Sequence, residues 1–600
     1  MLRPIRRLIW SAGALSAFAL GFLASASAAD APAPTFCKEV APILFKHCVN
    51  CHRPGQIGSA VSLLSYDTAR PFAESIKEQV LQRAMPPWPA DPKRSVKFRN
   101  DARLSQQEID SLVAWVKAGA PKGNDADLPP SPTFAEGWLH PKGLAPDLVI
   151  SLPEIQLPAQ GEIPYIRQLA KVSLSEDKWI SAMQVVPGNS AVVHHMAITE
   201  LALPDGVTPD NIDKLDQVAR KLGFSNGLNT HFAVTAPGNS ALYDMLGVYT
   251  PGTTFEMYGD DTAKLLKGGK NYYLNFNIHY QTTGRPEKDQ TRVAFWFRRE
   301  PPKHQLFRVP ASGESLIADG KQLLTDSPGE KAEGTSVAIP PIPPYAANYE
   351  VIGITAYTEP VTIYQLQPHA HLRGKDFKYQ VVYPDGREET LLTVPKYDFH
   401  WQLAYELDPP LKLPAGSKLV VTAHYDNSLR NDNLLHHMGH DASGAAHHPG
   451  PEKPGPEKEV YFREMNQSWD EMFTPFIQYA IDDQNLANPE APRERNVLTT
   501  SEVVGCLEQN TSGTWMLSNG SDPVLAKIQA TSSADLKAAA ATPPGKQRYQ
   551  LLGVDVFNPS SQNGHRVAVK GVLINARESR DAKGNRINLT SLQTVATTCF

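Results

Sequence analysis

This sequence has no excess of basic residues, few cysteines and few long apolar runs. It has 58 Lys and Arg against 63 Asp and Glu, a formal net charge of −5, and only 5 cysteines in 600 residues. A net acidic chain lacks the basic face that phosphate binding requires, so we expect no nucleic acid partner. Beyond residue 23, no segment reaches the roughly 18 apolar residues that span a bilayer. We therefore expect no membrane span in the mature chain.

The N-terminus carries the one long apolar run. Three arginines precede apolar residues 8–23, and Ala26-Ser27-Ala28 provides small residues for cleavage. This pattern predicts a signal peptide over residues 1–28 and a periplasmic or secreted protein. Removing it takes away three positive charges and moves the formal net charge from −5 to −8. In an oxidising compartment each cysteine should be bridged, ligated or left as an odd thiol.

Residues 48–52 form a C-x-x-C-H motif. Cys48 and Cys51 are placed to attach haem vinyl groups, and His52 to ligate the iron. The alternative, a redox C-x-x-C, requires a βαβ pattern, whereas the flanks predict helices. Met85, followed by two prolines on a stiff segment, is the candidate sixth ligand, with a core methionine as the alternative. Residues 30–122 thus resemble a bacterial class I c-type cytochrome domain, which is small and all-α.

Two helices around this motif have predictable starts. Asp67 is placed to cap a helix carrying an apolar face, and Ser105 with Glu108 forms a capping box for a later helix that Gly119 can end. His/Met ligation implies a raised potential and electron transfer. It leaves no open iron position, which argues against a haem enzyme.

After a polar linker over residues 123–145, short β-rich runs alternate with dense turn signals, which predicts antiparallel sandwiches. His194 and His195 are adjacent, so they can share one metal only at a bulge or through different ring nitrogens. Alternation places His279 on one polar face with Asn275 and Asn277. Three histidines make a competent copper site, although a structural histidine pair is the alternative.

The stretch His369-Ala370-His371 is the second candidate metal site. On a strand, alternation would point both imidazoles to one face. Met472 could add a thioether, and imidazole with thioether suits copper that cycles between Cu(I) and Cu(II). The alternative is two surface histidines and a core methionine.

In this order, the histidines and Met472 resemble the motifs of the copper type II ascorbate-dependent monooxygenases. That family includes peptidylglycine α-hydroxylating monooxygenase and dopamine β-monooxygenase, and the resemblance covers residues 140–485. It implies two jelly-roll-like domains, residues 146–310 and 311–485, facing a solvent-filled cleft with one copper each. By the resemblance, His194, His195 and His279 hold the electron-donating copper. His369, His371 and Met472 hold the copper that activates dioxygen.

The sequence departs from the peptide-acting members at three positions. Gln367, Thr474 and Phe476 stand where those enzymes use Arg, Asn and Tyr to hold a substrate carboxylate. Peptidylglycine is therefore not the expected substrate, and a more neutral or apolar molecule is favoured.

Other histidines receive structural interpretations. His424 is either a strand histidine of the core or a support for a ligand. The histidine-rich segment 436–448, in an insertion ending near Lys458, has no strand pattern and is interpreted as a loop without a catalytic role.

Residues 497–600 predict a small all-β domain, barrel-like and OB-like, with no catalytic constellation. Cys506 could bridge to Cys599, with Cys37 as a rival partner or leftover thiol.

Together with the signal peptide and the haem motif, the resemblance implies an exported dicopper monooxygenase that hydroxylates a C–H bond of an unknown organic substrate with dioxygen. Its cofactors would be two copper ions and one covalently attached haem c, the haem supplying electrons from an external donor. The alternative is a periplasmic electron-transfer or copper-binding protein that does no oxygenation.

Overall fold

The protein is mostly β-structure with a few short helices, in a computed structural model. The described residues are 32–135, 137–161, 163–203, 205–209, 244–252, 255–311, 314–329, 331, 335, 337–437, 455–462, 468–490, 498–575 and 584–599. The predicted signal peptide and residues 438–448 of the histidine-rich segment lie outside them. Within these ranges, no helix combines the length and hydropathy needed to cross a bilayer.

The N-terminal region has helical elements around one small core. They are a π-helical turn Phe36–Val40, α1 (Ala41–His47), α2 (Tyr66–Ala69), a 3-10 turn Arg70–Phe72, α3 (Ala73–Leu81), α4 (Gln106–Lys117) and a 3-10 turn Asp125–Asp127. Phe36, Leu44 and Trp115 are fully buried at the centre. The predicted capping box of α4 is present. Asp67 is not a cap, because the Ser65 hydroxyl accepts the Thr68 N–H and begins α2.

The segment after Met85 leaves this core and packs on the second β-domain. The Trp88 and Tyr405 ring centroids are 4.9 Å apart, and the Val96 N–H donates to Leu391 O at 3.0 Å. Residues 30–122 therefore do not all pack as one separate unit.

The first β-domain is built from two facing sheets. Its strands are Leu148–Ser151 (β1), Ile155–Leu157 (β2), Ile166–Lys171 (β3), Lys178–Val186 (β4), Val193–Ala202 (β5), Met245–Tyr249 (β6), Phe255–Met257 (β7), Thr262–Leu266 (β8), Tyr272–Tyr280 (β9), Glu287–Asp289 (β10), Arg292–Phe297 (β11) and His304–Gln305 (β12). One sheet has the order β3-β9-β5-β6 and the other β1-β11-β4-β8-β12, with β7 on β4, and β10 pairs with β2 in a separate two-stranded sheet. Met183, Ile198 and Phe276 fill the space between the sheets.

The second β-domain repeats this arrangement. Its strands are Phe307–Pro310 (β13), Ser315–Ala318 (β14), Lys321–Gln322 (β15), Tyr349–Ala356 (β16), Val361–Gln367 (β17), Gly374–Val382 (β18), Glu388–Val394 (β19), Tyr405–Leu413 (β20), Lys418–Tyr425 (β21) and Phe476–Ile481 (β22), with a short helix α5 (Asp432–His437). The sheets have the orders β13-β22-β17-β20 and β15-β14-β16-β21-β18-β19. Strand β13 lies before the expected boundary at residue 311, yet it pairs with β22 of this domain.

The C-terminal domain closes on itself. Its strands are Thr500–Gln509 (β23), Trp515–Gly520 (β24), Val524–Leu525 (β25), Gln547–Leu552 (β26), Arg566–Ile574 (β27) and Arg586–Ala596 (β28), with helix α6 (Ser533–Ala541) before β26. The order β24-β26-β28-β27-β23, completed by β23–β24 pairing, makes a five-stranded barrel. A disulfide joins Cys506 to Cys599, with the Cα atoms 5.6 Å apart, and leaves Cys37 as a free, buried thiol.

Candidate metal centre

The first histidine set sits where β5 pairs with β9. His195 is directly opposite His279, and the register shifts between Val193 and His195. His194 is therefore the extra residue of a β-bulge, which is the condition under which adjacent strand residues can face one point. The ligand atoms of His194, His195 and His279 all lie within 4.8 Å of one another, so this buried group could hold a metal ion.

The environment keeps the imidazole ring of His195 neutral, which is the form that binds metals. His195 is 8% exposed. Burial, and then the neighbouring His279 and His194, hold the pKa of His195 well below its ordinary value. A neutral imidazole retains a lone pair for coordination. His279 Nδ1 is 3.2 Å from His195 Nε2, close to the roughly 3.3 Å that separates two nitrogens each about 2.0 Å from one tetrahedral metal.

The second set is built on loops. The expectation that His369 and His371 lie on a strand is wrong, because β17 ends at Gln367 and β18 begins at Gly374. The two imidazoles nevertheless converge, with ring centroids 5.3 Å apart. Met472, on the loop before β22, places its Sδ 3.3 Å from His369 Nε2. The imidazole and the thioether thus meet as two ligands of one metal would.

A buried carboxylate shapes this loop pair. Glu471 accepts the backbone N–H of His371 at 2.9 Å, of Arg373 at 2.7 Å and of Met472 at 3.2 Å. Its burial, opposed by Arg373, raises the pKa of Glu471 to about 7. Since one side chain contacts both loops, Glu471 fixes the distance between the histidine motif and Met472.

Hydrogen bonds also select the ring nitrogens. His371 Nδ1 is 3.2 Å from Asp470 O, and His369 Nδ1 is 2.6 Å from the amide Oε1 of Gln402. Both partners are acceptors, so each Nδ1 carries the proton. The Nε2 lone pairs of His369 and His371 are then the ones available to a metal.

Both sets open onto one small cavity. Its volume is about 80 Å³, and its lining includes both polar and apolar side chains. The residues that line it are Tyr165, Arg167, His195, Met196, Ala197, Thr199, Met245, Val248, Asn275, Asn277, Gln367, His369, His371, Gln402, Met472 and Phe476. The resemblance implies a solvent-filled cleft between the two sets, whereas here a single side chain, Gln402, reaches from His195 to His369.

Sequence reasoning missed the segment that closes this gap. Residues 399–402 connect β19 to β20 and reach the first domain. The Phe399 ring is 5.6 Å from the His279 ring, centroid to centroid, and His400 Nδ1 is 3.3 Å from His194 Nε2. No ligand spacing flags these residues, and only the tertiary fold places them at the site.

The three positions that differ from the peptide-acting enzymes are all buried here, and Gln367 and Phe476 line the cavity. Gln367 Nε2 donates to the backbone oxygen of Gln402 at 3.2 Å, which fixes the orientation of the amide. Its Oε1 is buried and has no hydrogen-bond partner among the described residues. A hydrogen-bond acceptor thus stands at the cavity in place of the family's arginine.

The C-x-x-C-H segment lies against the first β-domain. A Cβ on Gly252 would be 3.9 Å from Cys51 Sγ. His52 Nδ1 is 3.1 Å from Val61 O, an acceptor, so Nδ1 carries the proton and Nε2 keeps a lone pair for iron. Burial raises the pKa of the Cys48 and Cys51 thiols, as expected for thiols held in a partly apolar environment.

Met85 lines a cavity of about 480 Å³ between α3, α4 and the second β-domain. Leu104 and Ile109 line it on one side and Trp401 on the other. His52 is not among its lining residues in the described part of the chain. Cys48, Cys51 and His52 offer the two thiols and the imidazole that haem attachment requires, and both this attachment and the axial role of Met85 stay predictions.

The partners of His424 are two carboxylates, not the candidate copper ligands. Its ring lies 2.6 Å from Asp376 Oδ1 and 3.4 Å from Glu350 Oε2. It is the next residue, Tyr425, whose hydroxyl donates to Met472 O at 2.8 Å.

No protein-family model matches this chain, and a search of curated proteins finds no significant match.

Proposed function

We propose that this protein is an exported copper-dependent monooxygenase that hydroxylates a C–H bond of a small organic molecule. One substrate C–H, one dioxygen, two electrons and two protons give one C–OH and one water. Two copper ions, when bound, would supply the electrons to dioxygen and activate it. The support for this function comes from the chemistry of the two ligand sets and their position about one cavity.

The single observation that carries the proposal is the meeting of two different donor sets. One has three imidazoles, and the other pairs imidazoles with a thioether, which favours Cu(I). A site of the first kind suits electron input, and a site of the second kind suits contact with dioxygen. Because His195 and Met472 line the same small cavity, dioxygen and a reacting C–H bond would be confined between the two sets.

The residues around the cavity have roles that can be stated without a bound metal. Asp470 O and Gln402 Oε1 accept hydrogen bonds from Nδ1 of His371 and His369 and so orient the ligating nitrogens. The Tyr165 hydroxyl lies 3.4 Å from His195 Nε2 and closes one wall. Met245 and Phe476 pack together beside the site and limit the entry of water.

The same positions support a neutral substrate. Without the arginine of the peptide-acting enzymes, nothing at residue 367 attracts a carboxylate, and Gln367 Oε1 instead accepts a hydrogen bond. A substrate with a hydroxyl or N–H group near the reacting carbon would satisfy it. At residue 367 an acidic peptide terminus would meet an oxygen acceptor, and the positive charge on the cavity lining is that of Arg167 instead.

The N-terminal region is proposed as a c-type cytochrome domain that supplies electrons. Cys48, Cys51 and His52 would hold one haem c, and Met85 would be its axial ligand. The position of Cys51 against Gly252 of the first domain favours delivery to the histidine set that lies in that domain.

Metal and isotope analysis of the full-length chain tests the proposal. The protein should be produced where c-type haem is attached, then loaded with copper. We expect one haem and two coppers per chain, and ¹⁸O from ¹⁸O₂ in an organic product. Zinc in place of copper, or empty sites, would contradict it. Copper and haem without oxygen transfer across a panel of alcohols, amines and amides would favour the non-oxygenating electron-transfer protein.

Electron supply is tested separately. The full chain is reduced under anaerobic conditions at the haem only, and copper(II) is then added. We expect haem reoxidation at a rate compatible with turnover. Loss of reoxidation in His279→Ala, but not in Met472→Leu, would identify the histidine set as the acceptor. A haem that stays reduced in the wild type would reject internal donation.

A further inference from the structure

The side-chain amide of Gln402 has a determined orientation. Gln402 is 5% exposed, and its Nε2 donates to the backbone oxygen of Phe399 at 3.3 Å. A carbonyl oxygen can only accept, so the atom facing Phe399 must be the amide nitrogen. The other amide atom, Oε1, is therefore an acceptor.

This orientation decides the protonation of His369. The Gln402 Oε1 lies 2.6 Å from His369 Nδ1, so Nδ1 must carry the hydrogen and donate it. A neutral imidazole has one N–H, and the lone pair is then on Nε2. That nitrogen faces Met472 Sδ at 3.3 Å. The amide thus turns the lone pair of His369 toward the thioether.

The same amide reaches the other ligand set. Gln402 Nε2 has a second hydrogen and lies 3.3 Å from His195 Nε2. His195 Nε2 is also 3.2 Å from His279 Nδ1, within the histidine cluster. One buried side chain therefore contacts a ligand of each set, from a segment that belongs to neither.

The position of Gln402 is itself supported. Its backbone oxygen accepts the Gln367 amide at 3.2 Å. Nearby, the Tyr397 hydroxyl donates to Ala370 O at 2.8 Å, which ties this segment to the histidine motif. The backbone that carries the amide is thus held at Gln402 itself and, five residues earlier, through Tyr397.

We propose that Gln402 is a positioning residue for the second metal site, selecting Nε2 of His369 as the ligating nitrogen and, in the metal-free protein, contacting His195 of the first domain. The assignment of the tautomer needs no metal. Its consequence for copper rests on the proposed function.

The tautomer is tested in the metal-free, full-length protein with ¹⁵N-labelled histidine, by NMR shifts of the ring nitrogens. Wild-type His369, assigned by loss of its signals in His369→Ala, should be protonated at Nδ1. Gln402→Leu removes the acceptor and should lose this preference. Gln402→Glu keeps an acceptor oxygen and should restore it. An Nε2-protonated His369 in the wild type overturns the proposal, even if the Leu variant fails to fold.

Copper titration gives the second readout. Hydrogen-bond partners of metal ligands typically contribute about 10- to 100-fold in affinity. We expect a loss of that size at the second site in Gln402→Leu, recovery in Gln402→Glu, and the first site changed by only a few fold. Unchanged affinity in Gln402→Leu overturns the positioning role.

Gln529→Leu is the matched control. This amide is also buried, and it bonds both the N–H and the oxygen of Ala356, far from either ligand set. It should leave the His369 tautomer and copper affinity unchanged. A wild type with the Nδ1 tautomer but no copper would reject the proposed function and leave the role of Gln402 in the tautomer intact.

Discussion

The two ligand sets differ in what holds them. His195 and His279 are neighbours in an antiparallel ladder, and a bulge adds His194. The second set has no ladder, since His371 and Met472 lie on loops. Its geometry depends on side chains of other segments, chiefly Glu471, Tyr397 and Gln402. A strand-built site is placed by backbone register, whereas a loop-built site is only as precise as its supports.

This difference has consequences for stability. Backbone pairing of β5 with β9 survives the loss of any one histidine, because the ladder does not use the side chains. In the second set, the supports are buried polar groups whose removal leaves partners unsatisfied, at a cost that is large for charged groups. The predictions below use this contrast.

The largest effect is expected at Glu471. Glu471→Ala leaves Arg373 buried without its carboxylate neighbour and strands the N–H groups of His371 and Arg373. At pH 8, where Glu471 is above its pKa of about 7 and mostly charged, we expect a loss of about 3–5 kcal/mol in unfolding free energy, as when one partner of a buried charge pair is removed. Copper at the second site should be lost with it. Chemical denaturation and copper analysis measure both quantities.

Glu471→Gln keeps the shape of the side chain and one acceptor oxygen, so it should lose less unfolding free energy than Glu471→Ala. Glu154→Ala removes a carboxylate from an exposed pair with Lys288 and should change stability by less than about 0.5 kcal/mol. If Glu471→Ala were as mild as this control, the carboxylate would not be the support we describe.

Copper removal should affect the two sets differently. Copper at a concentration of about 100 times its Kd stabilises the site that binds it by about 2.7 kcal/mol. This would slow amide hydrogen exchange at that site by up to roughly 100-fold. We expect copper to slow exchange in residues 369–374 and 470–474. Amides of β5 and β9 are already in a ladder and should change little. Hydrogen exchange with and without copper measures this, and equal slowing in both sets would contradict the contrast.

Removing the hydroxyl of Tyr397 should have an effect of intermediate size on stability. This hydroxyl donates to Ala370 O at 2.8 Å and accepts from Ala370 N at 3.2 Å, between His369 and His371. Tyr397→Phe leaves both groups buried and unsatisfied, for about 1–3 kcal/mol. Thermal unfolding should show the loss, together with weaker copper binding at the second site only. Tyr461→Phe, at an exposed tyrosine, is the control.

The same contrast explains what the sequence could predict. The short β-rich runs and dense turn signals predicted antiparallel sheets, and the adjacency of His194 and His195 required a bulge, which is present. The ladder rule failed for His369, because Pro368 and the end of β17 are followed by a loop whose shape depends on Glu471. Gln402 and His400 carry no pattern, since tertiary contacts alone bring them to the site.

His424 provides the mildest test, because it is a ladder histidine outside both sets. Its position on β21 places it opposite Asp376 of β18 and Glu350 of β16. Hydrogen bonds to Asp376 and then Glu350 raise the pKa of His424 to about 9. A pKa raised above the unfolded value of about 6.5 stabilises the fold fully below pH 6.5, and this contribution is lost as the pH rises through 9.

His424→Gln should therefore lower the unfolding free energy by about 1 kcal/mol at pH 6, a value reduced for solvent screening of a partly exposed group. The difference from wild type should shrink toward zero by pH 10. Denaturant unfolding of the copper-free protein at several pH values measures it, with His565→Gln, at a partly exposed histidine, as the control. Copper affinity should stay unchanged at both sites. A difference that grows with pH would mean that His424 is neutral in the fold, and that its carboxylates are not the partners that the ladder gives it.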